Sequence, residues 1–275
     1  MKIALLSKAI CEKTIQTIHF FNKNNIKIDL IIIETGFRIN FSEPEKFFRK
    51  AHDLYNSRFK KYSLPRRLTK RVYDLMPMSL HKLIYQNIYN IPILNKYSSK
   101  VHAKKNNIPY INVKKHSSEE TKQAIISHNI DYALLMSSNW LIKEPLLSIP
   151  GFKIINSHPG MLPKHRGLDS MPWSISIEDP IGISTYFVTR GIDDGPILKF
   201  YEIEPKKGDT IGSLSKSLKF EVPKCLADTL MKLSAGELSP IEQPDDIMVH
   251  RPMSFNELLD AEEKLQSRIS KMDFS

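Results

Sequence analysis

The chain opens on a short apolar run, KIALL (2–6). A stretch over 10–24 follows, in which Ile15, Ile18, Phe20 and Phe21 fall roughly on one helical face. A second run, IDLIIIE (28–34), is β-branched and almost unbroken, as in a strand covered on both faces. Strand, helix and strand with short links predict the start of a parallel α/β sheet. The rhythm then stops. Residues 36–97 hold no clear strand, and helical patterns over 46–60 and 79–89 are punctuated by Pro65, Pro77 and Pro92. It resumes with a helix over 99–107, a strand PYINV, a helix over 118–127 and a strand over 131–138. A short helical turn at 144–147 leads to the strand FKIINSH. Further on come a helix over 171–177, an alternating strand over 181–189, a turn at 191–196 and a strand ILKFYEIE. A long helix over 210–233 carries Leu214, Leu218, Leu226 and Leu230 on its apolar side. After Gly236 the chain is strand-poor, with Pro240, Pro244 and Pro252, and ends in a helical stretch, 254–271, that reads as solvated.

The fold class that follows is α/β: an open, mostly parallel Rossmann-like sheet with helices on both faces, a basic helical insertion over about 36–97, and a short C-terminal extension. The expected division is a catalytic domain over 1–205 and a C-terminal helix with extension over 206–275.

Composition narrows the setting. The 275 residues, 41% hydrophobic and 25% charged, suit one large folded α/β domain. No apolar run approaches the ~18 residues of a membrane span. MKIALLSKAI lacks a small-residue cleavage site and reads as a first strand, not a leader. Cys11 and Cys225 make neither a disulfide nor a metal-ligand pattern, so a reducing, cytoplasmic setting is expected. The net charge is +10, unevenly spread. Between Lys46 and Arg71 basic residues crowd together with a single acid, Asp53, whereas Glu257, Asp260, Glu262 and Glu263 make the C-terminal stretch acidic. A basic patch attracts anions.

The densest chemistry lies in INSHPGMLPKHRG (155–167). Asn156 and His158, at i and i+2, share one side of a strand end. The carboxyl end of a parallel strand is where open α/β sheets bind ligands. Asp193, in GIDDGP, is expected to return to the same edge. Such a set suits acyl transfer: an imidazole handles protons near neutral pH, an amide donates to an oxyanion, and a carboxylate orients the imidazole. No serine or cysteine nucleophile stands out, and Ser157 should face the other way, which favours direct attack by a substrate amine. Each part alone has an ordinary reading. His158 suits a structural hydrogen bond, GIDDGP a plain turn, and His165 and Arg166 the surface. No second His or Cys stands at ligand spacing, so no metal is expected.

Taken together, NSHPGMLP (156–163), Arg166–Gly167 and STYFVTRGIDDGPIL (184–198) resemble the formyltransferase family that uses 10-formyltetrahydrofolate, with its N-x-H-x-x-x-L-P loop, following R-G and D-x-G-P turn. That family includes glycinamide ribonucleotide transformylase, methionyl-tRNA formyltransferase and the sugar N-formyltransferases. The resemblance covers about 108–240, and more loosely the first strand–helix–strand. It implies Asn156, His158 and Asp193 as a catalytic trio, with Asp194 the less fitting neighbour. It implies 10-formyltetrahydrofolate as co-substrate and no metal. It also implies a pterin slot lined by Trp140, Leu141, Ile142 and Leu147 and closed by Val188, Thr189, Arg190, Gly191 and Ile192.

Departures from the family bear on the acceptor. LLSKAICEK (5–13) has no glycine where glycinamide ribonucleotide transformylase has a glycine-rich phosphate loop. Only a short, acidic-ended stretch follows the core, which counts against transfer RNA and nucleic acid in general. The chain starts directly at its first strand, which counts against a hydrolase with an N-terminal regulatory domain. The expectation is therefore an N-formyltransferase acting on a nucleotide-linked amino sugar, as in polysaccharide biosynthesis. Arg166, Arg66 and Arg67 are candidates for the acceptor's diphosphate. The alternatives are an enzyme like methionyl-tRNA formyltransferase acting on aminoacyl-tRNA, or a non-catalytic member that binds folate or sugar nucleotide. The basic insertion either caps the acceptor site or is a solvated excursion. A homodimer is compatible with the sequence.

Overall fold

The computed structural model describes residues 1–36 and 96–272. The basic insertion with its helical patterns at 46–60 and 79–89, and Arg66 and Arg67 within it, lie outside the described residues. Contacts divide the chain into Met1–Thr35 with Tyr97–Ser275, and Gly36–Lys96; the first unit is the one described below.

Its strands are β1 (Ile3–Lys8), β2 (Leu30–Glu34), β3 (Tyr110–Val113), β4 (Tyr132–Leu135), β5 (Lys153–His158), β6 (Arg166–Gly167), β7 (Gly182–Phe187), β8 (Ile197–Glu202) and β9 (Val249–His250). Seven form one sheet in the order β3-β2-β1-β4-β5-β7-β8. The first five of these are parallel. Every residue of β2 is buried, the result expected of an apolar run with helices on both sides. One face packs against Ile18 and Phe21 of α1 (Glu12–Lys23) and Leu218, Leu226 and Leu230 of α5 (Ile211–Ser234). The other takes Ile125 of α3 (Glu119–Ser127), Leu146 and Phe152. Side-chain caps start the helices: Ser98 accepts from Val101 at α2 (Ser99–Lys105), Ser118 from Thr121 at α3, and Thr210 from Ser213 at α5. No helix among the described residues is long and apolar enough to cross a membrane.

The mostly parallel sheet is mixed at one edge, where β7 runs antiparallel to β5 and β8 antiparallel to β7, so the turn at 191–196 is a hairpin loop. One expectation is corrected. The C-terminal helix α6 (Phe255–Met272) is not simply solvated. Ala261, Leu265 and Ile269, four residues apart, form a buried stripe. Its polar side also bonds back: Glu262 accepts from the Ile211 N–H and Gln266 donates to Asp209 O. The chain before it returns to the loop after β5, where β9 pairs with β6 as a separate two-stranded sheet.

Candidate active site

The β4–β5 ladder ends at Leu134↔Ile155. One step further on the two strands find other partners. The Ser157 N–H donates to Asn156 Oδ1 at 2.9 Å, and the Leu135 carbonyl accepts from Lys13 Nζ at 3.2 Å. Lys13 belongs to the first turn of α1 and is half-buried, and desolvation takes its pKa down to about 8. Across β5, Asn156 is paired with Tyr186 and His158 with Ser184. Directly opposed residues of an antiparallel pair share a face, so these four side chains stand on one side of the sheet.

On that side the hydrogen bonds form a continuous set. Asn156 Nδ2 donates to the Tyr186 hydroxyl at 2.9 Å, and that hydroxyl donates to Asp193 Oδ1 at 2.6 Å. Asp193 Oδ2 accepts from the Gly167 N–H at 2.9 Å and lies 3.2 Å from His158 Nδ1. His158 Nε2 donates to the His165 carbonyl at 2.6 Å. The structure thus brings Asn156, His158 and Asp193 together, through a tyrosine that sequence reasoning missed. Asp194 instead accepts from Thr189 within its own turn. Ser157 turns away, and its buried hydroxyl has no partner among the described residues.

Both nitrogens of His158 meet acceptors, a carbonyl and a carboxylate, which is the pattern an imidazolium would satisfy. Burial opposes that charge and pushes the ring below its ordinary pKa; Asp193 and the His165 carbonyl pull it back up, and Lys13 pushes it down. Burial and the Asp193 carboxylate hold the Tyr186 hydroxyl firmly protonated. The loop after His158 is fixed by Ser184, whose hydroxyl donates to Gly160 O at 2.7 Å and accepts from the Leu162 N–H at 3.0 Å. A Cβ on Gly160 would stand 2.9 Å from His165 O and 3.0 Å from His158 Nε2, so only glycine fits there without disturbing the imidazole. His165, expected at the surface, is buried, bonded through Nε2 to Asp179 at 2.7 Å and stacked on His250.

A cavity of about 290 Å³ lies between the loop before β5 and the segment after β7. Of the expected slot residues, Leu147, Val188, Thr189 and Arg190 line it, together with Phe152 and Ile154. Trp140 lies under the Lys115 ammonium at 4.6 Å, Leu141 is 51% exposed and Ile142 is packed in the core. Gly191 and Ile192 are not among the lining residues. The loop is anchored by its backbone: the Asn139 N–H donates to the buried Glu34 at 2.6 Å and the Lys143 N–H to Ser117 at 2.8 Å. An ion pair of Arg190 and Glu144, 2.7 Å, joins the two walls. A larger cleft of about 710 Å³ between β8 and α5 is lined by none of the trio.

Arg166 is also corrected. It is buried, and its guanidinium turns inward to Gln243 Oε1 (3.1 Å) and Pro244 O (2.7 Å), so it clamps the loop and does not present itself to an acceptor. Among the described residues no group of three or more His, Cys, Asp or Glu is placed to hold a metal.

The chain is 28% identical over 148 residues to methionyl-tRNA formyltransferase of Geobacillus sp. (strain WCH70), covering 54% of this chain and 46% of that protein. It spans about half the length of the curated relatives it matches. A glycinamide ribonucleotide transformylase from Symbiobacterium toebii superposes with a TM-score of 0.55 at 14% identity, over 89% of this chain and 95% of that one. A sugar N-formyltransferase from Shewanella sp. FDAARGOS_354 does so with a TM-score of 0.53 at 16% identity, over 95% and 87%. At such identities these two similarities speak to the fold. Residues 92–230, just over half of the chain and including Asn156, His158 and Asp193, match the model of one family, and on that match the chain belongs to the formyl transferase family.

Proposed function

We propose that the protein is an N-formyltransferase that takes the formyl group of 10-formyltetrahydrofolate and delivers it to a primary amine, the amino group of a nucleotide-linked amino sugar. The observation that carries the reading is the connected set Asn156–Tyr186–Asp193–His158. The co-substrate supplies an activated formyl carbon. Leu147, Val188 and Ile154 would meet the faces of its flat ring, and Thr189, Lys153 and Glu144 supply polar groups at the rim for its edge and tail.

Asn156 Nδ2 has two hydrogens, of which one goes to Tyr186; the other is free to donate to an oxyanion at the formyl oxygen. His158, held between the His165 carbonyl and Asp193, would support the same oxyanion, its positive charge favoured by those two acceptors. Asp193, directly or through a water, would orient the ring and assist movement of the proton that the attacking amine loses to the departing nitrogen, so the proton is conserved. No covalent enzyme intermediate is needed. We place this chemistry within 1–205, with 206–275 as its support.

A nucleotide sugar is favoured over glycinamide ribonucleotide by the glycine-free LLSKAICEK stretch, and its diphosphate suits the basic excess of the chain. Methionyl-tRNA is the second reading, favoured by the curated relatives. The deciding experiment incubates purified protein with 10-formyltetrahydrofolate and either a panel of amino-sugar nucleotides or methionyl-tRNA, and reads the formylated product by mass. Formylation of the tRNA in preference to every sugar would overturn the sugar reading. Folate binding without transfer to any amine would mark a binding protein. Neutralising Arg66, Arg67, Lys70 and Arg71 together should raise the acceptor KM if the insertion caps the acceptor site.

A further inference from the structure

Gln243 lies outside residues 92–230 and outside the trio, on the segment that returns from α5 to β9. Its side chain joins the two loops that carry the site. Nε2 donates to the backbone carbonyls of Asp193 (3.1 Å) and Gly195 (2.5 Å). Oε1 accepts from Nε of buried Arg166 at 3.1 Å, and Arg166 in turn donates to the carbonyl of the next residue, Pro244, at 2.7 Å. Both hydrogens and the oxygen of this one amide are therefore engaged.

The turn it holds has little freedom and needs support. Asp193 sits at φ 51°, in the left-handed region that side-chain-bearing residues seldom adopt. Gly195 is pressed so close to the Phe187 carbonyl that a Cβ there would stand 1.8 Å from it. The carboxylate itself is aimed by Tyr186 and the Gly167 N–H, and Gly167 follows Arg166 directly. The carboxylate and its backbone are thus tied to the same loop, one through Gly167 and the other through Gln243 and Arg166.

We propose that Gln243 is a positioning residue of this site: it locks the Asp193 turn against the Arg166–Gly167 loop and so keeps the carboxylate within reach of His158 Nδ1. The inference rests on the catalytic reading of Asp193. The groups that set the charge of His158 are Asp193 from the hairpin loop, the His165 carbonyl from its own loop and Lys13 from α1, and His250 from the returning segment also feels its charge. Of these, the Asp193 carboxylate is the one whose position Gln243 controls, and it raises the proton affinity of the ring.

Two variants test this. Gln243→Glu keeps an acceptor for Arg166 but has no hydrogens for the two carbonyls. Gln243→Met keeps the bulk and loses every bond. Both are expected to fold, to lower kcat about 10- to 100-fold, and to leave the folate KM within a few fold. The NMR titration of the His158 ring should move to lower pH in Gln243→Met, because the carboxylate that favours its charge has drifted; in Gln243→Glu the new charge opposes that movement, so kcat is its readout. Variants that unfold more easily but show wild-type kcat, with an unmoved His158 titration in folded Gln243→Met, would overturn the proposal, since Gln243 would then be purely structural. Full turnover by Asp193→Asn would sink the catalytic reading instead, and the His158 titration in Gln243→Met would still decide whether Gln243 sets the Asp193–His158 contact.

Discussion

Tyr186 donates its hydroxyl hydrogen to Asp193 Oδ1 at 2.6 Å, and so ties a hairpin-loop carboxylate to a residue of the central sheet. The hydroxyl is held protonated, which fixes the direction of donation from Asn156 through Tyr186 to Asp193. Tyr186→Phe should leave the half-buried Asn156 amide and the Asp193 carboxylate each one partner short. We expect kcat to fall about 10-fold and stability to drop by roughly 1–3 kcal/mol. Steady-state kinetics and denaturant unfolding measure the two; unchanged values in both would mean the bond is incidental.

The trio should behave as a unit. Asn156→Ala, His158→Ala and Asp193→Asn are each expected to lower turnover by about 10²- to 10⁴-fold, with folate binding much less affected. A double variant should lose far less than the product of the single losses. Asp194→Asn is the control: its carboxylate serves Thr189 in its own turn, so its effect should be mild. A dead Asp194→Asn beside an active Asp193→Asn would reverse the assignment of the two carboxylates.

Leu147 lines the cavity between the two loops. Tetrahydrofolate or its 5-formyl derivative should raise the Tm of the native protein by mass action. Leu147→Asp should abolish the shift while circular dichroism stays native. The exposed Leu141 supplies the contrast, since Leu141→Asp should keep the shift if the pocket is the one described. No shift in the native protein at millimolar folate would remove the co-substrate.

Lys13 lowers the proton affinity of His158 by its charge. Lys13→Met removes that charge, so the His158 titration and the limb of the kcat profile that it sets should both move to higher pH. The movement is opposite to that expected for Gln243→Met, which makes the pair informative in one NMR series. A downward shift on loss of Lys13 would contradict the sign.

His116, His158, His165 and His250 are all held below the ordinary histidine pKa of 6.5, burial being the largest cause for each. The sign follows from linkage. Below about pH 6.5 the unfolded chain takes up protons that the folded chain refuses, so stability is full above that value and falls as the pH drops through it. Thermal unfolding between about pH 8 and pH 5 should show Tm declining on the acid side. A flat curve would mean that the rings protonate in place.

Much of the architecture could be read from hydrophobic rhythm. β1, β2 and β4, with their partner helices, appear where continuous apolar runs and helical spacing put them. Asn156 and His158 could be read too, because an i, i+2 polar pair at a strand end stands out. The direction of β7 could have been read: the alternation noted over 181–189 is commoner in antiparallel strands. α6 misled because a stripe of only three small or medium apolar residues is diluted by its charges. Tyr186 and Ser184 carry no signal until β7 is laid beside β5, when their period of two matches that of Asn156 and His158. Lys13 and Gln243 have no local signature at all. Their partners are 122 and 77 residues away, and no periodicity reports such distances.

The pairing of β5 with β7 makes this chemistry sensitive to strand alignment. Asn156 faces Tyr186 and His158 faces Ser184 because the two strands meet in one register. Side chains alternate across a sheet, so sliding β7 by a single residue would replace Tyr186 and Ser184 on this side with Phe187 and Thr185, or with Thr185 and Ile183. The carboxylate would lose its tether and the histidine loop its anchor in one step, although no site residue had been changed. Deleting or inserting one residue within 182–187 should therefore be far more damaging than any single substitution there.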